Sequence, residues 1–446
     1  MDGEKVTIIG AGIGGLAVGS LLSIKGISVQ IFEKSETIGG RATSYNYKDC
    51  VVDNGVHLLP MVGTGSLSVL LKETGADNYL ELLEGGTPWI LTKDGDYRLP
   101  EGPAALSKFE LLPLEERLTF GAIMIEVAGP DFNFKKIDDK SLKDYVDGFT
   151  KSRELHSLFN TMARWVFISK SYEKVSAGAF FRLMKEALIS GKFNGYPAKG
   201  GFIEISNALR KVIEENGGKI RLKTEVKEII VNEKVKGLRL ISGEKISSDI
   251  VVFTPRVQTI YNFLEKDHFS KKFRKKVEKL KPQMALSLIF CLKKHLREYK
   301  SALVLPGTNI VEIWEPTNLN RTIAPEGKHL AYVVSPIEEG EDWEEQTEKV
   351  INDLQERFPK IMENSFWKIE KHHDENSPAF GVQVAVDQFG SKNRPSVKSD
   401  DIKGMFFVGD TVDTYGAGTN AVALSAFECA EKILGEKYNV EIIAKK

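Results

Sequence analysis

KVTIIGAGIGG, residues 5–15, sets the architecture of this chain of 446 residues. The apolar run Val6–Ile9 predicts a buried parallel strand, and the apolar residues of 13–25 predict a helix that ends at Gly26. The first glycine permits a tight turn, the second lets a ligand approach the backbone, and the fourth lets helix and strand pack closely. Free N–H groups and the helix dipole then favour a pyrophosphate at the start of the helix. The predicted contacts are Gly10, Gly12, Ile13, Gly14 and Gly15.

A second predicted strand, Ser28–Phe32, ends at Glu33. A carboxylate at this position can accept hydrogen bonds from the two hydroxyl groups of a ribose. Glu33 and the adjacent Lys34 are therefore candidate ligands of a dinucleotide. A chance strand–helix–strand unit that binds no nucleotide is the alternative.

Composition and charge exclude several classes of protein. The chain is 42% hydrophobic and 28% charged, which is typical of a soluble globular protein of two or three domains. Its formal net charge of −1 gives no basis for nucleic-acid binding. Cys50, Cys291 and Cys429 are far apart in the sequence, so they predict neither a disulfide framework nor a metal site and favour a reducing compartment.

The sequence predicts a cytoplasmic protein. The apolar run 6–22 fits the strand, turn and helix described above, and it begins too close to Met1 for a removable leader. No other run of about 20 apolar residues predicts a transmembrane helix. Peripheral contact with the inner face of a membrane stays open, because the basic run 271–276, with Phe269, Phe273 and Val277 interleaved, predicts either a lipid-binding helix or a solvated helix face.

Three separated blocks, 1–75, 200–260 and 395–446, predict pieces of one nucleotide-binding domain, because each combines short apolar strands with a helix. The insertions 76–199, which is helical and rich in aromatic residues, and 261–394 predict a second, α+β domain that covers the cofactor. The predicted fold class is therefore α/β with an interwoven second domain. The predicted helices are Ile203–Asn216, Glu341–Arg357 and Ala421–Leu434, and the predicted strands are Lys219–Val226, Glu228–Val231, Gly237–Ile241, Ile250–Thr254, Met284–Leu292, Leu330–Val334 and 404–408.

Gly39-Gly40-Arg41 follows the second strand closely. Two glycines let the chain pass close to a bulky planar group, and an arginine can neutralise phosphate charge bidentately. With this element the sequence resembles the flavin-dependent family that includes amine oxidases, protoporphyrinogen oxidase and carotenoid (phytoene) desaturases. The resemblance implies FAD in a Rossmann-type domain, with Glu33 at the adenosine ribose and Arg41 near the diphosphate.

Four other segments are similar to motifs of this family. DNGVH, residues 53–57, resembles its Asp-x-Gly segment, which passes beside the isoalloxazine ring, and PAKGG, residues 197–201, resembles its Pro-x-x-Gly-Gly turn. Val226 stands where members contact the adenine region. Gly409-Asp410 resembles a late Gly-Asp pair whose carboxylate accepts from the ribityl chain. The resemblance adds as candidate cofactor-binding residues Asn54, Gly55, Val56, His57, Val226, Thr254, Gly409 and Asp410.

YGAGTNAVALSA, residues 415–426, is similar to a glycine-rich segment of the phytoene desaturases. The resemblance implies that a helix N-terminus lies at the flavin pyrimidine, where it stabilises negative charge on the reduced ring. The residues concerned are Gly418, Thr419, Asn420 and Ala421. Amine oxidases carry an aromatic residue where this chain has Thr419, so the departure counts against an amine substrate.

Few side chains are candidates for catalysis. His57 is either a proton-transfer residue beside the flavin or a residue that packs and hydrogen-bonds in its own turn. Arg164 and Trp165 either line a substrate cavity or belong to the core and its rim. His372 and His373 are adjacent, so on a strand they point to opposite faces, and no metal site is predicted.

The resemblance implies an FAD-dependent oxidoreductase that transfers hydride between flavin N5 and a largely apolar, isoprenoid or carotenoid-type substrate. Desaturation, saturation and isomerisation stay open, and the electron acceptor is unknown. No strong acid or base is required if neighbouring unsaturation activates the proton that is lost. The alternatives are an amine or protoporphyrinogen oxidase, and a flavin-free prenyl-binding escort protein of the same fold.

Overall fold

The computed structural model describes residues 5–190 and 193–440. The strands in these residues are β1 (Val6–Ile9), β2 (Val29–Phe32), β3 (Ser44–Tyr47), β4 (Cys50–Asp53), β5 (Leu59–Pro60), β6 (Leu82–Glu84), β7 (Trp89–Leu91), β8 (Asp96–Arg98), β9 (Asn194–Pro197), β10 (Lys219–Arg221), β11 (Val226–Asn232), β12 (Lys234–Leu240), β13 (Lys245–Ser247), β14 (Ile250–Phe253), β15 (Met284–Leu292), β16 (Leu303–Val304), β17 (Glu312–Trp314), β18 (His329–Ile337), β19 (Ser365–His373) and β20 (Met405–Phe407). The α-helices are α1 (Ile13–Ser23), α2 (Ser66–Thr74), α3 (Pro103–Leu106), α4 (Leu114–Ala128), α5 (Leu142–Val146), α6 (Arg153–Phe167), α7 (Ala177–Ser190), α8 (Ile203–Glu215), α9 (Lys271–Lys279), α10 (Trp343–Arg357) and α11 (Gly418–Leu434).

A parallel sheet of five strands, in the order β10-β2-β1-β14-β20, carries the glycine turn. Every residue of β1 is buried, which explains its continuous apolar sequence. Helix α1 packs against α8 and α11, so its side chains are buried on almost all sides. The five strands come from three separated parts of the chain, and the division into two domains on that basis stays a prediction.

A second sheet of seven strands, in the order β19-β15-β18-β17-β16-β7-β8, is formed mainly by the later insertion. Its central strands β15 and β18 pair antiparallel along nine residue pairs. Beside it, helices α4 to α7 enclose an aromatic cluster that includes Phe120, Phe159, Phe180 and Phe181. The expectation that 76–199 is helical was incomplete, because this segment also contains β6, β7, β8 and β9, and β7 pairs with β16 across more than 200 residues of sequence.

Several predicted element boundaries were wrong. The strand expected at Lys219–Val226 is two strands, because the chain leaves β10 and turns at Lys223, which has a φ of 50°. The first helix ends at Ser23, two residues early, and α11 begins at Gly418, three residues earlier than predicted. Asp342 caps α10 by accepting from the N–H of Glu345, so that helix begins two residues late.

The basic helix α9 turns its apolar residues inward. Phe273 and Val277 are buried, and Phe273 stacks on Phe269 with ring centroids 4.5 Å apart. The interleaved apolar residues therefore belong to the core, and the geometry favours a solvated basic face over a lipid-binding one. In residues 5–190 and 193–440, no helix combines the length and the hydropathy that crossing a membrane requires.

Candidate cofactor site

The turn between β1 and α1 has the geometry that its glycines predict. Gly10 has a φ of 97°, and a Cβ at Gly15 would lie 2.0 Å from the carbonyl oxygen of Gly10. Gly12 caps α1 without a side-chain hydrogen bond, and the N–H of Gly39 donates to the carbonyl of Ala11 at 2.8 Å. The first turn of α1 therefore lies beside the second glycine turn with its N–H groups uncapped, which suits a diphosphate. Ile13 and Gly14 also belong to this first helical turn.

Glu33 lies at the end of β2, as the sequence predicts, and is held against the glycine turn. Its carboxylate accepts from the N–H of Ala11 at 2.7 Å and from the N–H of Ser35 at 2.9 Å. Lys34 is exposed beside it. These contacts fix the carboxylate at the edge of the sheet where a ribose is expected, and its role as a ribose ligand stays a prediction.

Arg41 and Asp410 are paired with each other. The Nη2 atom of Arg41 lies 3.1 and 3.2 Å from the two carboxylate oxygens of Asp410, and the N–H of Gly381 donates to the same carboxylate at 2.8 Å. Burial alone would raise the pKa of Asp410, but the charge of Arg41 and these hydrogen bonds outweigh burial, so the pKa is lowered. The structure thus joins the residue expected at the diphosphate to the residue expected at the ribityl chain.

The segment that follows β4 runs along the second glycine turn. The N–H of Val56 donates to the carbonyl of Arg41 at 3.0 Å, and a Cβ at Gly55 would lie 3.0 Å from the same oxygen. Asn54 accepts from the ammonium group of Lys371 on β19. Asp53 is buried and anchors the segment, since it accepts from Ser44, Tyr196 and the N–H of Phe202.

His57 has no free ring nitrogen. Its Nδ1 lies 2.8 Å from the carbonyl of Gly55, and its Nε2 lies 2.6 Å from Glu312 of β17, whose other oxygen accepts from Trp165 at 2.7 Å. Burial lowers the pKa of His57, but the hydrogen bond to Glu312 and its charge prevail and raise that pKa. The geometry therefore favours His57 as a positioning residue. Trp165 is part of the core, which agrees with the second interpretation of that residue.

The loop before α11 presents a second uncapped helix N-terminus. Gly416 and Gly418 have φ values of 80° and 53°, and Ala417 caps the helix without a side-chain hydrogen bond. The hydroxyl of Thr419 is buried and has no hydrogen-bond partner within the described residues. Asn420 accepts from the N–H of Leu67 at 3.1 Å. The next residue, Ala421, is buried.

The remaining predicted residues lie around the parallel sheet. Thr254 donates to the carbonyl of Ile9 at 2.8 Å, and Gly409 donates its N–H to Ser425 at 3.0 Å. Val226 is buried at the start of β11. Two uncapped helix N-termini, an open glycine turn and an orphaned hydroxyl together fit the two charged phosphates and the polar ring edge of FAD.

Three residues near this site belong to no recognisable motif and were not predicted from the sequence. They are Glu312, Lys371 and Arg256. Burial lowers the pKa of Lys371 to about 8. Burial and the charge of Arg41 lower the pKa of Arg256, which lies three residues after the end of β14. The position of Arg256 after a parallel strand was an available clue, since ligands bind at the carboxyl ends of such strands.

The structure also places the adjacent histidines of β19 and the cysteines. His373 is buried and His372 exposed, as alternation along a strand requires. The described part of the chain holds no group of three potential metal ligands among its His, Cys, Asp and Glu side chains. Cys50 and Cys291 interact with each other in space, and burial raises the pKa of both thiols. Both are free thiols.

Comparison with known proteins agrees with the flavin-dependent family that the sequence motifs resemble. The family model of the flavin-containing amine oxidoreductases matches residues 13–434. A 4,4'-diapophytoene desaturase (4,4'-diapolycopene-forming) from Methylomonas sp is 26% identical over 510 aligned residues, which cover 98% of this chain and 96% of the relative.

Two solved structures have a similar fold. An oxidoreductase from Methanosarcina mazei has a TM-score of 0.83 at 24% identity, with 96% of this chain and all of the other covered. A Rab GDI from Plasmodium falciparum has a TM-score of 0.61 at 16% identity, with 98% and 99% covered. At such identities the likenesses show the fold alone, and they confirm the predicted α/β class.

Proposed function

The chain belongs to the family of flavin-containing amine oxidoreductases, and on that premise we propose that this FAD-dependent oxidoreductase acts on a largely apolar, isoprenoid or carotenoid-type substrate. The relative from Methylomonas sp is a desaturase of such a molecule. The reaction proposed is desaturation, in which the substrate loses a hydride and a proton from adjacent carbons.

The observation that carries the substrate class is the contact between the aromatic cluster and the loop before α11. Ala417 of that loop packs against the cluster formed by α4 to α7. The next two residues begin the uncapped helix N-terminus that fits the flavin ring. An apolar wall therefore adjoins the position that we propose for the ring, where an apolar chain gains free energy by leaving water.

When bound, FAD supplies a hydride acceptor at N5 of its ring. The residues of the chain orient the cofactor-binding segments and stabilise charge on the cofactor. The N–H groups at the start of α11 would hold the ring edge of FAD and would stabilise negative charge there. The pair of Arg41 and Asp410 fixes the second glycine turn, and the contacts of His57 with Glu312 fix the segment that is expected beside the ring.

Absorbance and anaerobic reduction of the purified protein test the proposal. We expect the absorbance bands of bound FAD, and we expect an added C30 or C40 polyene to bleach them in the absence of oxygen. Bleaching by amines but not by polyenes would refute the substrate class. A protein that neither carries nor binds FAD would favour the escort function, which the likeness to Rab GDI makes the relevant alternative.

A further inference from the structure

Helix α4 is apolar on two opposite sides. The residues of its inner side are buried in the aromatic cluster, and they are Phe120, Ile123, Met124 and Val127. On its outer side, Leu114, Leu118 and Ile125 are 66%, 68% and 75% exposed. A helix that is apolar all round is normally covered on all sides, and a group of exposed apolar residues marks a surface of contact. The outer side of α4 is therefore expected to contact something that the folded chain does not supply.

Helical geometry puts these exposed residues in one stripe. At about 100° per residue, Leu114, Leu118 and Ile125 lie within about 40° of one another around the helix axis. The other residues in the same sector, about 120° wide, are Gly121, Ala122 and Ala128. These six residues form the α4 stripe, which extends along a helix of 15 residues, about 22 Å.

The α4 stripe contains no charged side chain. Glu115 and Glu126 lie at one margin of the sector, and Arg117 lies at the other. The guanidinium group of Arg117 is engaged within the chain, because it donates to the carbonyls of Ser107 and Leu112 at 2.6 and 2.7 Å. The contact surface is thus uncharged, which favours an apolar occupant over a charged one.

The dimensions of the stripe favour a lipid bilayer over a protein partner. A stable protein interface takes about 800 Å² and about 20–30 residues from each partner, whereas the stripe has six residues, of which three are glycine or alanine. A bilayer sets no such minimum, because each apolar side chain that enters the acyl region adds its own transfer free energy. A helix of 15 residues is shorter than the ~20 that span a bilayer, so it would lie along the surface.

The surrounding helices extend the apolar character of this region. Of the nine large apolar residues that are exposed in the described parts of the chain, five lie between residues 114 and 188. Besides the three of the stripe they are Phe149, which packs on Tyr145 of α5 with ring centroids 5.2 Å apart, and Leu188 of α7. Helix α7 contacts α4, and the hydroxyl of Tyr145 donates to Glu126 of α4 at 3.5 Å. The exposed apolar residues are thus concentrated in one layer of helices.

We propose that the α4 stripe rests on a lipid bilayer and inserts its aliphatic side chains among the acyl chains. The inference rests on the proposed function, because a long apolar polyene dissolves in a bilayer rather than in water. The inner side of α4 belongs to the cluster against which Ala417 packs. The helix therefore lies between the proposed bilayer and the apolar wall proposed for the substrate, and this arrangement lets the substrate enter without crossing water.

The first test is flotation of the flavin-loaded protein with phosphatidylcholine vesicles. The wild type should float with the vesicles, and Leu118→Asn and Ile125→Asn should each lower the partition coefficient about 10-fold. The matched control is Ile241→Asn, because Ile241 is 61% exposed at the end of β12, outside this layer of helices. It should float like the wild type. All three variants should keep the wild-type melting temperature and flavin content, since the substituted side chains are exposed.

A fluorescent probe locates the contact. Cys50, Cys291 and Cys429 are buried, so a polarity-sensitive thiol dye should label an introduced surface cysteine selectively. The dye on Ile125→Cys should shift its emission to shorter wavelengths when phosphatidylcholine vesicles are added. The dye on Ile241→Cys should not respond.

Several results would overturn the inference. They are a wild type that does not float, equal losses in Ile241→Asn and Leu118→Asn, and flotation only when the vesicles also contain phosphatidylglycerol, which would assign binding to basic residues. A dimer that Leu118→Asn dissolves, without binding to vesicles, would identify a second copy of the chain as the occupant. Flotation that depends on the stripe, with no polyene able to bleach the flavin, would overturn the proposed reaction and leave the bilayer contact standing. Bleaching by a polyene in detergent micelles, without flotation, would overturn the bilayer contact alone.

Discussion

Glu312→Gln tests the buried contact that holds the segment beside the flavin position. The side chains of His57 and Glu312 are 12% and 9% exposed, and their closest atoms are 2.6 Å apart. Removing one partner of a buried ion pair costs about 3–5 kcal/mol when the remaining charge stays. His57 can instead release its proton, and the glutamine oxygen can still accept from Trp165. The expected loss of unfolding free energy is therefore smaller, about 2 kcal/mol. It combines the difference between a charge-assisted and a neutral hydrogen bond with the cost of deprotonating His57.

The loss should depend on pH with a definite sign. The pKa of His57 is raised in the folded state above its ordinary value of 6.5. The pair therefore contributes its full stability below about pH 6.5, and this contribution is lost as pH rises through the pKa of folded His57. The difference between the wild type and Glu312→Gln should be largest near pH 6 and should shrink towards pH 9.

Urea unfolding followed by circular dichroism measures this difference in free energy. The matched control is Glu341→Gln, because Glu341 lies 2.6 Å from Lys170 but both side chains are more than a quarter exposed, at 29% and 27%. That variant should lose less than about 1 kcal/mol, since solvent screens the pair. A loss of the same size in both variants, or a loss in Glu312→Gln that does not change between pH 6 and 9, would refute the assignment of a charged His57.

Three further predictions, tested with four substitutions, address the cofactor site. Gly15→Ala should lower the free energy of unfolding by about 2–3 kcal/mol and abolish FAD retention, because its Cβ would meet a backbone oxygen at 2.0 Å. The control Gly14→Ala, with contacts at 3.4 Å, should lower it by less than about 1 kcal/mol. Melting curves and the flavin-to-protein absorbance ratio compare the two variants. Asp410→Asn should lower the unfolding free energy of the apoprotein by about 2 kcal/mol in urea, since it removes the buried counter-charge of Arg41. Lys371→Met should remove a spectral transition of the bound flavin near pH 8, and persistence of that transition would assign it to another group.

The sequence predicted the parts of the fold that local patterns determine. The run of buried residues in β1, the glycines of the first turn and the apolar residues of α1 all lie within one short segment, so each supports the same interpretation. Strand β15 was predicted with its observed bounds because its nine residues are almost all buried. The turn at Lys223 was missed because a residue other than glycine adopts a positive φ there, and no sequence rule marks such a position.

The side chains that complete the site could not be predicted in the same way. Arg41 and Asp410 are 369 residues apart, and His57 and Glu312 are 255 apart. Such pairs depend on which strands become neighbours in the two sheets, and the local sequence around Glu312 has no feature that distinguishes it from any other acidic residue. The sequence therefore predicted the cofactor but left the groups around the substrate unidentified.

The contrast between the predictable cofactor turns and the unpredicted side chains indicates which parts of the chain determine the reaction. The turn at Gly12 contacts the turn at Gly39, and the carbonyl of Arg41 accepts from the N–H of Val56. The two glycine turns and the segment after β4, which together form the cofactor cradle, are thus joined by backbone contacts. These contacts limit the size of the side chains at these positions but not their chemistry. The chemical demands fall on side chains of the insertions, among which Glu312 contacts His57 and Lys371 contacts Asn54. Proteins with the same cradle can therefore differ in reaction through these insertions alone, and substitutions there should change rate and substrate while flavin binding is retained.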